Sequence, residues 1–361
     1  MSNGKILIVG GYGAVGRVIS ITLGNLFPGE VIIAGRNFQK AKELSSELNQ
    51  KVIPLELDIT STSEDEERLT DVSLIIMCID QKNTRFFRQC IQRGIHYIDI
   101  TANYEFHFKI EALNDEVRNH NSTVILSVGL APGITNLLAR QCKSMIQDIR
   151  YVDIYIMLGI GEKHGEAAFR WVFEDLNDQF FIKEDGEKKQ VRSFEDGKQT
   201  MFPGSLGRRT TYRSNFSDQH VIPKTLKIDS ASTRICFDSA VMTWLYALLK
   251  KSGLSRLLKL RVVQNFMINL LKLFRFGSDQ FVLKVEAGSN RKQGTLYECS
   301  ISGNGEGNNT GLVAAKVAEK LYLSSFATGV FHIEELFNPL EFIESISGNG
   351  LRFEERLLKG D

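Results

Sequence analysis

The chain has 361 residues, 43% of them apolar, and 44 basic side chains stand against 43 acidic ones for a net charge of +1. That length supports two domains with a substantial core, and so even a charge balance gives no global field to draw in nucleic acid or a whole anionic surface. Five scattered cysteines without a CxxC pair, a start that runs from Met1-Ser2-Asn3-Gly4 directly into an apolar stretch, and no apolar run of bilayer length together read as a cytoplasmic protein in a reducing setting, with no structural metal, secretory signal or spanning helix.

The first element is an apolar strand over Lys5 to Val9, which runs into Gly11-Tyr12-Gly13-Ala14-Val15-Gly16, a helical stretch, and a second strand over Glu30 to Ala34. This strand–turn–helix–strand order turns a weak GxGxxG match into a dinucleotide-binding signature. In that reading Gly11 allows the tight turn, Gly13 lets backbone amides approach a pyrophosphate, and Gly16 lets helix and strand pack closely. The phosphates sit at the helix N-terminus, where unpaired N–H groups favour an anion. The second strand ends in Ala34-Gly35-Arg36-Asn37, with Arg36 where an NAD site would place an acid for the ribose 2′-hydroxyl. A guanidinium there suits a 2′-phosphate, and Lys40 adds a second positive charge one turn on, so the expected cofactor is NADP(H).

The α/β rhythm continues. A helix is predicted over Phe38 to Asn49, a strand over Lys51 to Leu57 ending at Asp58, and a short acidic helix over Glu64 to Thr70. A strand follows over Val72 to Ile79, then a helix over Asn83 to Arg93, a buried strand within Gly94 to Thr101, a helix over Tyr104 to Asn119, and a strand over Thr123 to Val128. The fold class is therefore α/β, a Rossmann-type doubly wound parallel sheet with ligands at the carboxyl ends of its strands. That rule puts Asp58, Cys78, Ile79, Thr101 and the Pro132-Gly133 turn in the same crevice as the glycine loop.

Gly94-Ile95-His96-Tyr97-Ile98-Asp99-Ile100-Thr101, followed by Gly129-Leu130-Ala131-Pro132-Gly133-Ile134-Thr135-Asn136, resembles the saccharopine dehydrogenase-like family, and Thr328-Gly329-Val330-Phe331-His332-Ile333-Glu334-Glu335 is similar to its closing segment. The resemblance implies an NADP-dependent oxidoreductase whose hydride passes to or from an imine, amine or carbonyl centre. It also implies that the Gly-rich loop, Arg36 and Pro132-Gly133 contact the cofactor. A first domain of residues 1–135 would be completed by the C-terminal helices 311–361. Cys78-Ile79-Asp80 departs from the pattern, which has a small residue and a proline facing the nicotinamide. The departure keeps open a non-catalytic NADP-binding protein, beside a reductase of a lipid or polyketide-like enoyl intermediate.

Residues 136–310 read as an α+β substrate and dimerisation domain on a mixed or antiparallel sheet. Strands are predicted over Val152 to Leu158, Lys189 to Ser193 and Lys224 to Ile228. A hairpin of Phe281 to Gly288 with Gly294 to Ser302 flanks Ser289-Asn290-Arg291-Lys292. His164, between glycines ahead of a predicted helix over Gly165 to Asp175, is the candidate catalytic acid or base. Arg209 and Tyr212, within Arg208-Arg209-Thr210-Thr211-Tyr212-Arg213 and shortly before Asp218-Gln219-His220, form a candidate clamp for a substrate carboxylate. His96 and His107 read as structural. From Ser239 to Ser278 no acidic residue occurs against seven basic ones, and Leu257 to Phe274 is strongly apolar with a narrow polar stripe. Residues 254–276 are expected to pack in a homodimer interface or the core, to line a pocket for a long apolar substrate, or to touch a membrane surface peripherally. The expected partner is otherwise a small-molecule substrate.

Overall fold

A computed structural model describes residues 4–61, 68–146, 148–161, 176, 178–253, 255, 260–265, 277–290 and 296–358. The chain divides into two compact units, residues 1–133 with 307–336, and residues 134–306 with 337–361. In chain order the first strands are β1 (Lys5–Val9), β2 (Val31–Gly35), β3 (Val52–Glu56), β4 (Val72–Met77), β5 (His96–Asp99) and β6 (Thr123–Leu126). Between them lie α1 (Ala14–Leu26), α2 (Phe38–Glu47), α3 (Arg85–Ile91), α4 (Tyr104–Glu111) and α5 (Asn114–Asn119). The second unit follows with α6 (Thr135–Met145), β7 (Tyr151–Leu158), β8 (Gln179–Glu184), β9 (Glu187–Arg192), β10 (Lys198–Phe202), β11 (Gly207–Arg213), α7 (Asp218–Thr225), β12 (Ser230–Phe237), α8 (Ala240–Lys251), β13 (Gln280–Gly288) and β14 (Leu296–Asn304). The chain closes with α9 (Glu306–Leu323), β15 (Gly329–His332), α10 (Ile333–Leu336), α11 (Pro339–Ile346) and β16 (Arg352–Leu358).

The sheet of the first unit has the order β15-β6-β5-β4-β1-β2-β3, and every neighbouring pair is parallel. Its central strands read KILIV, VIIAG and VSLIIM, continuous apolar runs because both faces are covered. One face holds Leu7, Val9, Ile75, Met77, Phe86, Phe87 and Tyr97 in a single cluster. On α9, Gly311 lies against Val18 and the Val15 carbonyl of α1, so a side chain there has no room. The predicted helix over 104–119 is two helices, interrupted at Ala112–Leu113.

The second unit is built on a mixed, curled sheet of order β10-β11-β12-β7-β13-β14-β16, in which β12 and β7 run parallel and the other neighbours antiparallel. The hairpin of β13 and β14 pairs Gln280 with Asn304 through Gly288 with Leu296. Residues 337–361 belong to this unit, whereas the sequence assigned 311–361 as a whole to the first. The reason is pairing: β16 hydrogen-bonds β14 from Leu296–Leu358 to Ser302–Arg352. The predicted strand at 224–228 is instead the end of α7 and its turn, and the strand begins at Ser230. Asp218 fixes this helix, accepting hydrogen bonds from Thr135 Oγ1 (2.9 Å) and Thr233 Oγ1 (2.6 Å). The predicted helix over 165–175 lies outside the described residues. Among the described residues, no helix is long and apolar enough to cross a membrane.

Candidate cofactor site

The glycine loop joins β1 to α1 at the carboxyl end of the parallel sheet. Its left-handed residue is Gly10, with φ +84°, so the tight turn assigned to Gly11 falls one position earlier. Gly11 is instead a packing position, since a Cβ there would stand about 3 Å from Ser20 Oγ and the Ile33 side chain. Gly13 is the N-cap of α1 and is exposed, with its N–H bonded back to the Gly10 carbonyl at 2.9 Å. A Cβ on Gly16 would overlap that same carbonyl, so only glycine lets α1 start this close to β1. The N-terminal turn of α1 has no side-chain cap and no acid. The N–H groups of Ala14, Val15 and Gly16 precede the first intrahelical acceptor bond, made by Arg17 N–H to the Gly13 carbonyl. Free amides and the helix dipole make this turn an anion cradle.

Tyr12 ties the cradle to the end of β2. Its hydroxyl accepts the Asn37 N–H at 3.0 Å, and its ring occupies the space that a side chain on Gly35 would take. Asn37 caps α2 by accepting the Lys40 N–H at 3.1 Å, and Arg36 and Lys40 are both exposed. Asp58, after β3, accepts both the N–H (2.9 Å) and the hydroxyl (2.7 Å) of Thr60. These bonds hold its carboxyl below the ordinary range, with the Arg36 charge adding to the effect. The acid on which the Arg36 charge acts, Asp58, is thus already engaged with Thr60.

The carboxyl ends of β4, β5, β6 and β15 are polar beneath the surface. Cys78 N–H donates to the Val9 carbonyl (2.9 Å), and Cys78 and Ile79 lie against Gly10. Burial, and secondarily the Asp99 charge, push the Cys78 thiol up, so it is no thiolate at neutral pH. Thr101 is buried, with its N–H (2.8 Å) and hydroxyl (2.6 Å) both given to Asp99, so its side chain faces inward rather than into the crevice. Burial pushes Asp99 up to about 6 against the lowering effect of those bonds. His107 Nε2 stands 4.0 Å from Asp99, and burial, then the neighbouring His332, takes His107 down to about 3. His332 bonds Ser127 Oγ at 2.8 Å, and Ser127 is a non-glycine in the left-handed region at φ +55°. Pro132 and Gly133 are buried in the irregular turn after β6, following a cis Ala131–Pro132 bond.

Thus Gly11 to Gly16, Arg36, Asn37, Asp58, Cys78, Ile79, Thr101, Pro132 and Gly133 all fall on carboxyl-end turns of one sheet. The sequence had passed over Gly10, Gly35, Asp99, Ser127 and His332. The Gly10-Gly11 doublet and the Asp99-Ile100-Thr101 turn are the signals available for two of them, Gly10 and Asp99.

The substrate candidates are in the second unit and do not converge. Strand alternation puts Arg209 and Tyr212 on opposite faces of β11. Tyr212 stacks on Phe194, with centroids 5.3 Å apart, while Arg209 lies on the face shared with Cys236, whose thiol feels its charge. The expected two-residue clamp therefore does not form. Arg209 is half-buried, and its Nε has no hydrogen-bond partner among the described residues. Arg213 is committed to Asp196 (2.7 Å). His220 is bonded to Asn215 (2.8 Å), and burial takes it down to about 4. His164 lies outside the described residues.

Residues 6–125 match the family model described as the saccharopine dehydrogenase NADP binding domain. The nucleotide-binding domain belongs to that family. No curated protein matches the chain in sequence. Among solved structures, the apo saccharopine dehydrogenase (L-Glu forming) of Saccharomyces cerevisiae shares the fold across 98% of this chain and 100% of that chain, with a TM-score of 0.65 at 15% identity. A meso-dapdh mutant with DAP from Clostridium tetani covers 94% of this chain and 95% of its own, with a TM-score of 0.48 at 13% identity. At these identities the likeness is one of fold. The chain therefore carries an NADP-binding domain of the saccharopine dehydrogenase type and shares its fold with the yeast structure.

Proposed function

We propose that the protein is an NADPH-dependent oxidoreductase that moves a hydride to or from a C–N (imine or amine) or carbonyl centre of an amino-acid-like substrate. The observation that carries this reading is the exposed Arg36 at the end of β2, beside a glycine cradle in a domain of the saccharopine dehydrogenase NADP-binding family. The residues present fit the cofactor. Gly13 is exposed at the start of α1 and Gly16 lets that helix begin against β1; the amides of Ala14 to Gly16 take the pyrophosphate, and Arg36 with Lys40 takes the 2′-phosphate. NADPH supplies the hydride when bound. Tyr12, through Asn37, sets the position of Arg36 relative to the cradle. Asp99 holds Thr101 and so the turn after β5.

The yeast saccharopine dehydrogenase that shares the fold supports extending the reading from cofactor to reaction class. In this proposal Arg209, with an uncommitted Nε, is the group offered to a substrate carboxylate, and His164 carries the proton that a C–N reaction requires. Tyr212, stacked on Phe194, supports the sheet rather than the substrate. The test is NADPH consumption against 2-oxo acids paired with amines, aldehydes, and enoyl thioesters. Turnover with an oxo acid–amine pair or an aldehyde is expected, and lost in Arg209→Ala with cofactor affinity retained. Turnover with enoyl thioesters alone, or NADPH binding without turnover on any of these, would overturn the proposal.

A further inference from the structure

Two neighbouring strands of the first unit, β6 and β15, end in register at Leu126 and His332. The residue after Leu126 is Ser127, whose φ of +55° lies in the left-handed region. Glycine adopts that backbone without strain, and a serine does not. A non-glycine residue kept in this conformation at the carboxyl end of a strand needs surrounding groups that over-determine it, and such positions gather at ligand sites.

The group that holds Ser127 is His332. The serine hydroxyl lies 2.8 Å from His332 Nδ1, across 205 positions of sequence, and both residues are buried. The imidazole is fixed independently of Ser127. Its Nε2 stands 3.3 Å from Glu111 Oε1 at the end of α4. The His332 N–H donates to Glu335 Oε2 at 2.9 Å, and the His107 ring packs beside it with centroids 6.1 Å apart. A carboxylate facing Nε2 keeps the ring proton on that nitrogen, so Nδ1 accepts and the Ser127 hydroxyl donates.

Ser127 in turn shapes the turn that runs to Gly133. A Cβ on Gly133 would stand 3.1 Å from the Ser127 carbonyl oxygen, and Gly133 has φ +134°. The turn thus closes on its own first residue, and a rotation of Ser127 displaces the surface against which Gly133 rests. The strand order β6-β5-β4-β1-β2 says which part of a dinucleotide this turn would meet. Arg36 marks the adenosine 2′-phosphate at the end of β2, and the glycine cradle after β1 marks the pyrophosphate. The nicotinamide half then extends the other way, over the ends of β4, β5 and β6.

We propose that His332 is a positioning residue for the nicotinamide half of the cofactor: through Ser127 it holds the turn from Ser127 to Gly133 in the shape that receives that half. The proposal rests on the NADP-binding reading and adds to it a residue that acts through Ser127 rather than on the cofactor itself. Calorimetric titration of the full chain with NADPH, and with 2′-phospho-ADP-ribose, which lacks the nicotinamide, tests it. Ser127→Gly keeps the left-handed backbone without strain but loses the hydroxyl, and His332→Phe keeps a ring without hydrogen bonds. Each is expected to weaken NADPH about three- to tenfold and to leave 2′-phospho-ADP-ribose unchanged. The double variant should lose no more than either single one, because the same bond is removed. His332→Asn, whose amide oxygen can stand in for Nδ1, is expected to bind NADPH within about twofold of wild type.

A merely structural role would lower stability in urea and leave the affinities of the folded protein as they are. Unchanged NADPH affinity in Ser127→Gly therefore overturns the proposal. So do equal losses for the two ligands, or losses that add in the double variant. A wild-type chain that binds neither ligand would instead refute the cofactor assignment, and the proposal with it.

Discussion

Replacing Arg36 with alanine isolates the interaction that distinguishes NADPH from NADH. The side chain is exposed, so the pair it forms with a 2′-phosphate is partly screened. Unit charges about 4 Å apart attract by about 1 kcal/mol in water, and a phosphate carries about −1.5 to −2. Bidentate charge-assisted hydrogen bonding brings the total to about 2–3 kcal/mol, or roughly 30- to 150-fold in Kd. Asp58 opposes part of this attraction, because its carboxyl is held ionised by Thr60 and by Arg36 itself. Asp58→Asn keeps an acceptor for Thr60 and is expected to tighten NADPH about two- to fivefold. Titration of both nucleotides by nicotinamide fluorescence or calorimetry reads these values directly. Arg36→Ala should leave NADH affinity unchanged, and raising the salt should narrow the wild-type preference. An equal loss for NADH and NADPH would refute the 2′-phosphate assignment.

Gly35→Ala puts a methyl into the space of the Tyr12 ring; displacing the ring is expected to weaken both nucleotides about tenfold or more, measured by the same titration. Asp99 has a native pKa of about 6 against about 3.9 unfolded, so it favours the fold most below pH 4 and that contribution is lost as the pH rises through 6. Asp99→Asn, which keeps an acceptor for Thr101 and removes the buried charge, should therefore be more stable than wild type by about 1–3 kcal/mol in urea at pH 8 and about equal to it at pH 4. His107 has the opposite sign: lowered to about 3 by burial, it supports the fold fully above about pH 6.5 and less as pH falls towards 3. His107→Leu is expected to move the midpoint of acid unfolding to lower pH, and an unchanged midpoint would count against the buried neutral imidazole. Lys284→Met removes the buried cation that Glu286 and Glu298 share, with an expected cost of about 3–5 kcal/mol in urea at pH 7.

The parallel sheet was legible because its strands are apolar throughout and its turns are glycine-marked, so period and punctuation agreed. Arg36 was legible for a similar reason: a fixed spacing from Gly16 places one residue at one strand end. Elements of the second unit were harder. Ser230-Ala231-Ser232-Thr233-Arg234-Ile235-Cys236-Phe237 is a fully buried strand, yet four of its eight residues are polar, and their burial depends on partners far away in sequence. Arg234 is matched by Asp196 (2.6 Å), Thr233 by Asp218 and Ser232 by Asp153. No local pattern announces such a strand. Arg209 and Tyr212 looked like neighbours because the spacing was read without a secondary structure. On a strand, three positions apart means opposite faces. The Tyr12–Gly35 contact was hidden because it joins two turns that each looked self-sufficient.

The second sheet places charge where a sheet usually places leucine, and its curl explains how. Alternation puts Lys198 and Thr200 on β10, Asp153 and Tyr155 on β7, Lys284 and Glu286 on β13, and Glu298 on β14 towards one face. In a flat sheet β10 and β13 would be four strands apart. Here Thr200 donates to Glu286 (2.9 Å) and Lys284 donates to the Met201 carbonyl (2.7 Å), so the sheet folds over its own polar face. Lys284 reaches Glu286 at 2.9 Å and Glu298 at 2.8 Å, Lys198 reaches Asp153 at 2.8 Å, and Arg356 meets Glu298. Lys284, Asp153 and Glu298 are buried in this network, while Lys198 and Arg356 are partly exposed. By general experience such a network adds little stability over an apolar interior of the same volume, because desolvation offsets the attraction. Its consequence is register. A one-residue slip of β13 on β14 would turn Lys284 to the apolar side, where the thiols of Cys142 and Cys299 lie 3.1 Å apart under α6. The polar face thus selects a single alignment of β13 on β14, which an all-leucine face would leave free to shift.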